Sequence, residues 1–257
     1  MENALADFLA TGVLAFILTF VRMGTAIMIM PGVGDSFVNT RIRLLMALGI
    51  SFVLFPIVTP YMPSPVPSTI SLFSLITMEF IIGLFFGTIA RIFMMALDTA
   101  GMVISIQSGL GNAQIFNPAL STQGSIIGAF LSVFGVLILF ATNMHHLLFM
   151  GLIESYELFP VGAIPDTGSM AELMSRAVSQ SFLIGVKIAV PFIMMTLMIY
   201  VGMGVLSRLM PQVQVFLLAI PVQILLALGA LMLVLGAAAT YWLTYFEQAM
   251  VYFLTVK

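Results

Sequence analysis

Between Thr99 and Ile153 the chain carries no Asp, Glu, Lys or Arg. A soluble domain devotes about 25% of its residues to charge, because water must wet its surface. Here the whole chain of 257 residues is 7% charged and 61% apolar. Such a chain cannot cover a water-facing surface of its own size, so lipid or partner protein must cover most of it. The composition therefore predicts an all-α membrane protein and argues strongly against a soluble enzyme.

A spanning helix needs about 20 mostly apolar residues. About six hydrophobic helices are expected, over Phe8–Met30, Leu44–Pro60, Ile70–Met95, Ser125–Met150, Phe182–Leu206 and Val215–Leu243. Pro31-Gly32-Val33-Gly34 ends the first, and Pro60, Pro63, Pro65 and Pro67 make a stiff linker before the third. Glu154, Glu157 and Asp166 mark an acidic loop after the fourth. Met210-Pro211-Gln212 is a tight turn, so the last two segments should form an antiparallel helical hairpin. Pro191 and Pro221 lie inside those segments and should kink them. If all six segments span, Arg41, Arg43, Arg91 and Arg208 share one side and the acidic loop lies on the other, which by the positive-inside rule puts both termini outside the cytoplasm. The first residues, Met1 to Asp7, carry acids and no Lys or Arg, unlike the basic start of a signal peptide. The first segment is therefore expected to persist as a helix.

Residues 105–125 do not fit a simple bundle. This stretch is rich in Ser, Gln, Asn and Gly but has no charge. A lipid-exposed loop would leave backbone groups unpaired at several kcal/mol each. A buried loop, lining a wet cavity or plugging a passage, fits the composition as well as an ordinary exposed loop does. Gly109 and Gly111 permit sharp turns, Asn117-Pro118 favours an elbow, and Ile115 and Phe116 supply apolar bulk.

The few other charges within apolar segments are candidates for burial. Ionisable groups inside a membrane are expensive and usually paired. Arg22 or Lys187 with Glu79 or Asp98 are the plausible pairs, and a structural interhelical pair is favoured over an ion pathway because these groups are scattered. Adjacent His145 and His146 project about 100° apart on a helix, so no metal site is expected. The ladders Gly83/Gly87 and Gly124/Gly128/Ser132 suit close helix contact within the chain. There is no Cys, no phosphate loop and no nucleophile or zinc motif, so no cofactor and no catalytic site are expected. A net charge of −2 with 8 Lys and Arg excludes a nucleic-acid-binding face.

Three stretches resemble the FliR family of flagellar type III export-gate proteins. Phe20-Val21-Arg22, Met30-Pro31-Gly32 and Arg41–Leu45 look like its opening region. Gln107–Pro118, with Phe116-Asn117-Pro118, looks like its most recognisable segment. Arg208 to Phe216, followed by Pro221-Val222-Gln223, looks like its terminal hairpin. The resemblance implies a FliP-like helical region over residues 1–178 and a FliQ-like hairpin over 179–257. It implies a closed helical channel, assembled with FliP-type and FliQ-type membrane proteins and an FlhB-type export protein, that passes unfolded protein substrates. It implies a place in the bacterial inner membrane at the flagellar basal body, in contact with lipid. It makes the central loop a pore plug, with Gln107, Gly109, Gly111, Ile115, Phe116, Asn117 and Pro118 as gate residues. An injectisome relative is the nearest alternative within the family. A stand-alone small-molecule or ion permease, using Glu79, Asp98 or Lys187, is the alternative outside it.

Overall fold

The computed structural model describes residues 2–62, 68–111, 125–212 and 215–255, with side chains at 11–62, 68–111, 125–212 and 219–252. These residues hold seven α-helices and one 3-10 turn. They are α1 (Glu2–Ile29), α2 (Thr40–Val58), the turn Thr59–Tyr61, α3 (Thr69–Gln107), α4 (Ile126–Ala141), α5 (Met144–Leu158), α6 (Thr167–Leu209) and α7 (Val215–Thr255). No strand occurs among the described residues. Five of the helices are long and apolar enough to cross a membrane, and α4 with α5 makes a sixth candidate if the broken pair counts as one span.

Two differences from the hydropathy reading matter. The fourth segment is not one helix: it breaks at Thr142 and Asn143, and Asn143 takes a left-handed φ of 58°. Asn tolerates that conformation better than other residues with a side chain. The helices α3, α6 and α7 also run well past their apolar windows, to 39, 43 and 41 residues. At 1.5 Å per residue each contour is roughly 60 Å, about twice the hydrocarbon thickness of a bilayer. Pro191 and Pro221 lie inside continuous helices.

The chain divides into two compact units. One comprises Met1–Ile92, Asn143–Ala177 and Glu247–Lys257. In it α1 and α3 touch backbone to backbone. A Cβ on Gly83 would press on the Arg22 carbonyl, and one on Gly87 would lie 2.9 Å from the Ala26 carbonyl. The loop after α1 is built around Asp35. Its carboxylate accepts from Gly32 N at 2.7 Å and pairs with Arg91 of α3. Arg43 reaches back from α2 to the carbonyls of Gly34, Asp35 and Val38 at 3.1, 2.8 and 2.8 Å. Asn39 caps α2 by accepting from Arg41 N at 2.9 Å.

The other unit comprises Phe93–Thr142 and Val178–Phe246. Its core is the C-terminal part of α3 with α4, α6 and α7. Trp242 is buried and donates its indole N–H to the Phe93 carbonyl at 3.0 Å. Gly101 of α3 lies directly against Gly128 of α4. The helices α6 and α7 run antiparallel where Lys187 and Tyr241 line one cleft together with Pro191 and Val234.

Asp166 stands just before α6, accepting from Ser169 Oγ at 2.6 Å and Gly168 N at 3.0 Å. These donors hold its carboxyl below the usual range, the Ser169 hydroxyl most. A lowered carboxyl contributes stability above its unfolded value of about 4 and loses it as pH falls through the folded value. Asp166→Ala should therefore speed amide exchange in the first turn of α6 near neutral pH, and the difference from wild type should vanish in acid. Exchange mass spectrometry at both pH values checks this. A separate test concerns packing. Gly101→Ala should cost about 1–3 kcal/mol by overpacking, whereas Gly229, with open space around it, should tolerate Ala. Thermal unfolding of both variants in detergent measures the contrast.

Candidate functional site

Besides the Asp35 loop, two constellations among the described residues bring polar groups together. The first is centred on Arg22, whose residue exposure is 0%. Its side chain has few ways to exist there, because an unpaired buried cation is prohibitively costly. Glu79 of α3, also 0% exposed, takes it in a fork: Nε donates to Oε2 at 2.5 Å and Nη2 to Oε1 at 2.8 Å. Nη1 donates to Ser155 Oγ of α5 at 3.0 Å, and Nη2 also donates to the Phe159 carbonyl at 2.9 Å. The Tyr156 ring lies beneath the guanidinium, 3.7 Å from its carbon. Bidentate geometry and the aromatic face are what Arg provides and Lys does not. The Phe159 ring then packs edge-on against Phe85 and Phe86.

Four of the five guanidinium N–H groups are thus accounted for by protein acceptors. Glu79 spends both oxygens on Arg22. A carboxylate so engaged is fixed in place, which suits a structural clamp across α1, α3 and α5. Asp98 and Lys187 lie on exposed faces of the other unit.

The second constellation surrounds the central segment. The structure extends α3 through Ser105 and Gln107, so the loop begins at Ser108 rather than at 105. Gly109 ends the helix with φ of 80°, a conformation that favours glycine. Gly111 N donates back to the Ser105 carbonyl at 2.9 Å. The Gln107 carbonyl, one of the acceptors a helix end leaves unpaired, receives two side-chain donors. Thr196 Oγ1 of α6 donates at 2.9 Å, and Gln223 Nε2 of α7 donates as well. At the far end Ser125 caps α4, accepting from Gly128 N at 3.0 Å and donating to the Gly101 carbonyl at 2.9 Å. Both ends of the segment are therefore tied to the last turns of α3.

Gln107, Gly109 and Gly111 belong to this arrangement. Ile115, Phe116, Asn117 and Pro118 lie outside the described residues. Sequence reasoning missed Thr196, Gln223 and Ser125, although a lone Gln or Thr inside an apolar helix is itself a signal: in a membrane such a group needs a partner. Ser155 and the Phe159 carbonyl carry no such signal.

Residues 13–249 match the family model described as bacterial export proteins, family 1. The chain is 37% identical over 226 residues to the flagellar biosynthetic protein FliR of Caulobacter vibrioides, covering 88% of this chain and 90% of that one. It is 30% identical over 227 residues to the FliR of Aquifex aeolicus, covering 88% and 86%. It is 27% identical over 236 residues to the Yop proteins translocation protein T of Yersinia pestis, covering 90% and 88%.

Breaking the Arg22 fork from one side should be far worse than removing it whole. Arg22→Leu or Glu79→Leu alone should cost about 3–5 kcal/mol, because the remaining charge is stranded, and the double Leu variant should recover much of that loss. Thermal unfolding in detergent reads the cycle. If Glu79→Gln kept full stability but lost transport, the clamp reading would fail in favour of a titrating role.

Proposed function

The chain belongs to the FliR family of bacterial export proteins, and from this premise we propose that it forms part of a closed conduit whose central segment is the plug. It is a membrane component of a type III export apparatus. The flagellar branch is favoured by the 37% and 30% identities to flagellar relatives, against 27% to the translocation protein. In this reading it assembles in the bacterial inner membrane, at the flagellar basal body, with FliP-type and FliQ-type proteins and an FlhB-type export protein. Unfolded substrates pass when the plug moves. Residues 1–178 serve as the FliP-like part and 179–257 as the FliQ-like hairpin.

The observation that carries the reading is the double tether of the central segment. Its ends are held by Gln107 and Gly111 on one side and Ser125 on the other, while the sequence between has neither charge nor a long apolar run. A segment fixed at both ends and neutral between them can lie across a passage without needing counter-charges. It can also be displaced without unfolding its helices. Gly109 and Gly111 act as hinges, Ile115 and Phe116 as blocking bulk, and Asn117-Pro118 as elbow. The hinge at Gly109 is energetically cheap to move, since Gly carries no Cβ penalty at its positive φ. No phosphate loop is present, so the energy for transport comes from elsewhere.

Two experiments test this. A tagged chain drawn from native membranes in mild detergent should bring FliP-like and FliQ-like proteins in fixed ratio. The same assembly with residues 113–122 deleted should form normally and, once in liposomes, leak ions well above the intact assembly. A fully assembled deletion complex that stays tight would refute the plug.

A further inference from the structure

On α6, Lys187 precedes a long uncharged run. From Ile188 to Ser207 there is no charged residue, and Arg208 follows. At 1.5 Å per residue this uncharged run is roughly 30 Å long, the thickness of a hydrocarbon core. On α7 the apolar run that faces it ends in Tyr241, Trp242 and Tyr245. Lys on one helix level with tyrosines on its neighbour is the residue pattern of a membrane–water boundary.

The level match is visible in the cleft between the helices. Lys187 and Tyr241 stand together at one end of an open cleft of about 410 Å³. Its other lining residues, Ile188, Pro191, Val234, Ala237 and Ala238, all lie on the apolar side of that pair. The Tyr245 ring lies tilted beside Tyr241, 4.9 Å between centroids. Among the described residues Lys187 has no carboxylate within ion-pair distance. No described carboxylate therefore competes with an outside anion for this exposed ammonium group.

We propose that this cleft binds a single anionic phospholipid, with the phosphate on Lys187 and the Tyr241 hydroxyl and one acyl chain along the alanine-floored trough. A partner helix bearing a carboxylate is the other conceivable occupant. A helix would run past Lys187 in both directions, whereas the trough extends only to its apolar side. The boundary tyrosines also place the cation where a headgroup phosphate lies. The proposal stands apart from the export reading and does not depend on it.

The full chain can be reconstituted in nanodiscs of phosphatidylcholine with a minor fraction of phosphatidylglycerol. After release into mild detergent, native mass spectrometry reports which lipid stays bound. Wild type should retain phosphatidylglycerol in preference to phosphatidylcholine by roughly fivefold or more, the worth of one lysine against an anionic surface. Lys187→Gln should lose the preference, and Lys187→Arg should keep it. Ala237→Phe fills the exposed trough with the cation intact and should shed the lipid altogether, which gives a second test should Lys187→Gln misfold. Equal retention of both lipids by wild type overturns the proposal. So does unchanged phosphatidylglycerol binding in folded Lys187→Gln or Ala237→Phe. Loss of a co-purifying apolar protein from Lys187→Gln, with lipid binding intact, assigns the cleft to a partner helix and overturns it too.

Discussion

A guanidinium with no exposed surface sets the geometry of the first unit. Arg22 can exist only where acceptors converge from several elements, and Glu79, Ser155 and the Phe159 carbonyl converge from three places in the chain. The close approach of α1 and α3 depends on the same register. Glu79 and Gly83 are one turn apart on α3, as are Arg22 and Ala26 on α1. The ion pair forms because Gly83 lets α3 lie against the Arg22 backbone, and the missing side chain at Gly83 is useful because the ion pair holds that register. Charge pairing and small-residue packing are here one constraint seen from two sides.

The second unit solves a different problem with neutral groups. Its difficulty is the backbone at a helix end in apolar surroundings, where carbonyls lack partners. Gln223 and Thr196 donate to the Gln107 carbonyl, Ser125 donates to Gly101, and Trp242 donates to Phe93. Each of these four polar side chains serves a main-chain acceptor on α3. That division of labour bears on function. A charged clamp resists disruption strongly, whereas neutral hydrogen bonds contribute about 1 kcal/mol apiece and can exchange. A loop root held by exchangeable bonds suits the gate proposed above.

The length of the helices carries a further consequence. Runs of roughly 60 Å cannot be single plain spans, and large apolar side chains along α6 and α7, such as Met198, Leu225 and Leu233, remain 70%, 73% and 86% exposed. Lipid, partner helices or both must cover them. The Lys187 cleft is one place where the chemistry of the cover is specified by a charge rather than by apolar area alone.

Much of this was written in the sequence. Scarcity of charge dictated helices and a membrane, and Met210-Pro211-Gln212 dictated the hairpin, because these are local or compositional facts that hold whatever the packing. The break at Asn143 was not legible: Thr142 and Asn143 interrupt an apolar run too briefly for hydropathy to register, although Asn is a residue that admits the left-handed turn. The overrun of α6 was hidden for the opposite reason, since helix propensity and the Asp166 cap extend a helix through polar residues that a hydropathy window discards. The sequence could also offer Arg22, Lys187, Glu79 and Asp98 as candidates for pairing, but only the tertiary structure put Arg22 on Glu79 and left Lys187 facing outward. Pairing depends on distances between helices, and those are set by where glycine permits contact, a property of two surfaces together that neither segment carries alone.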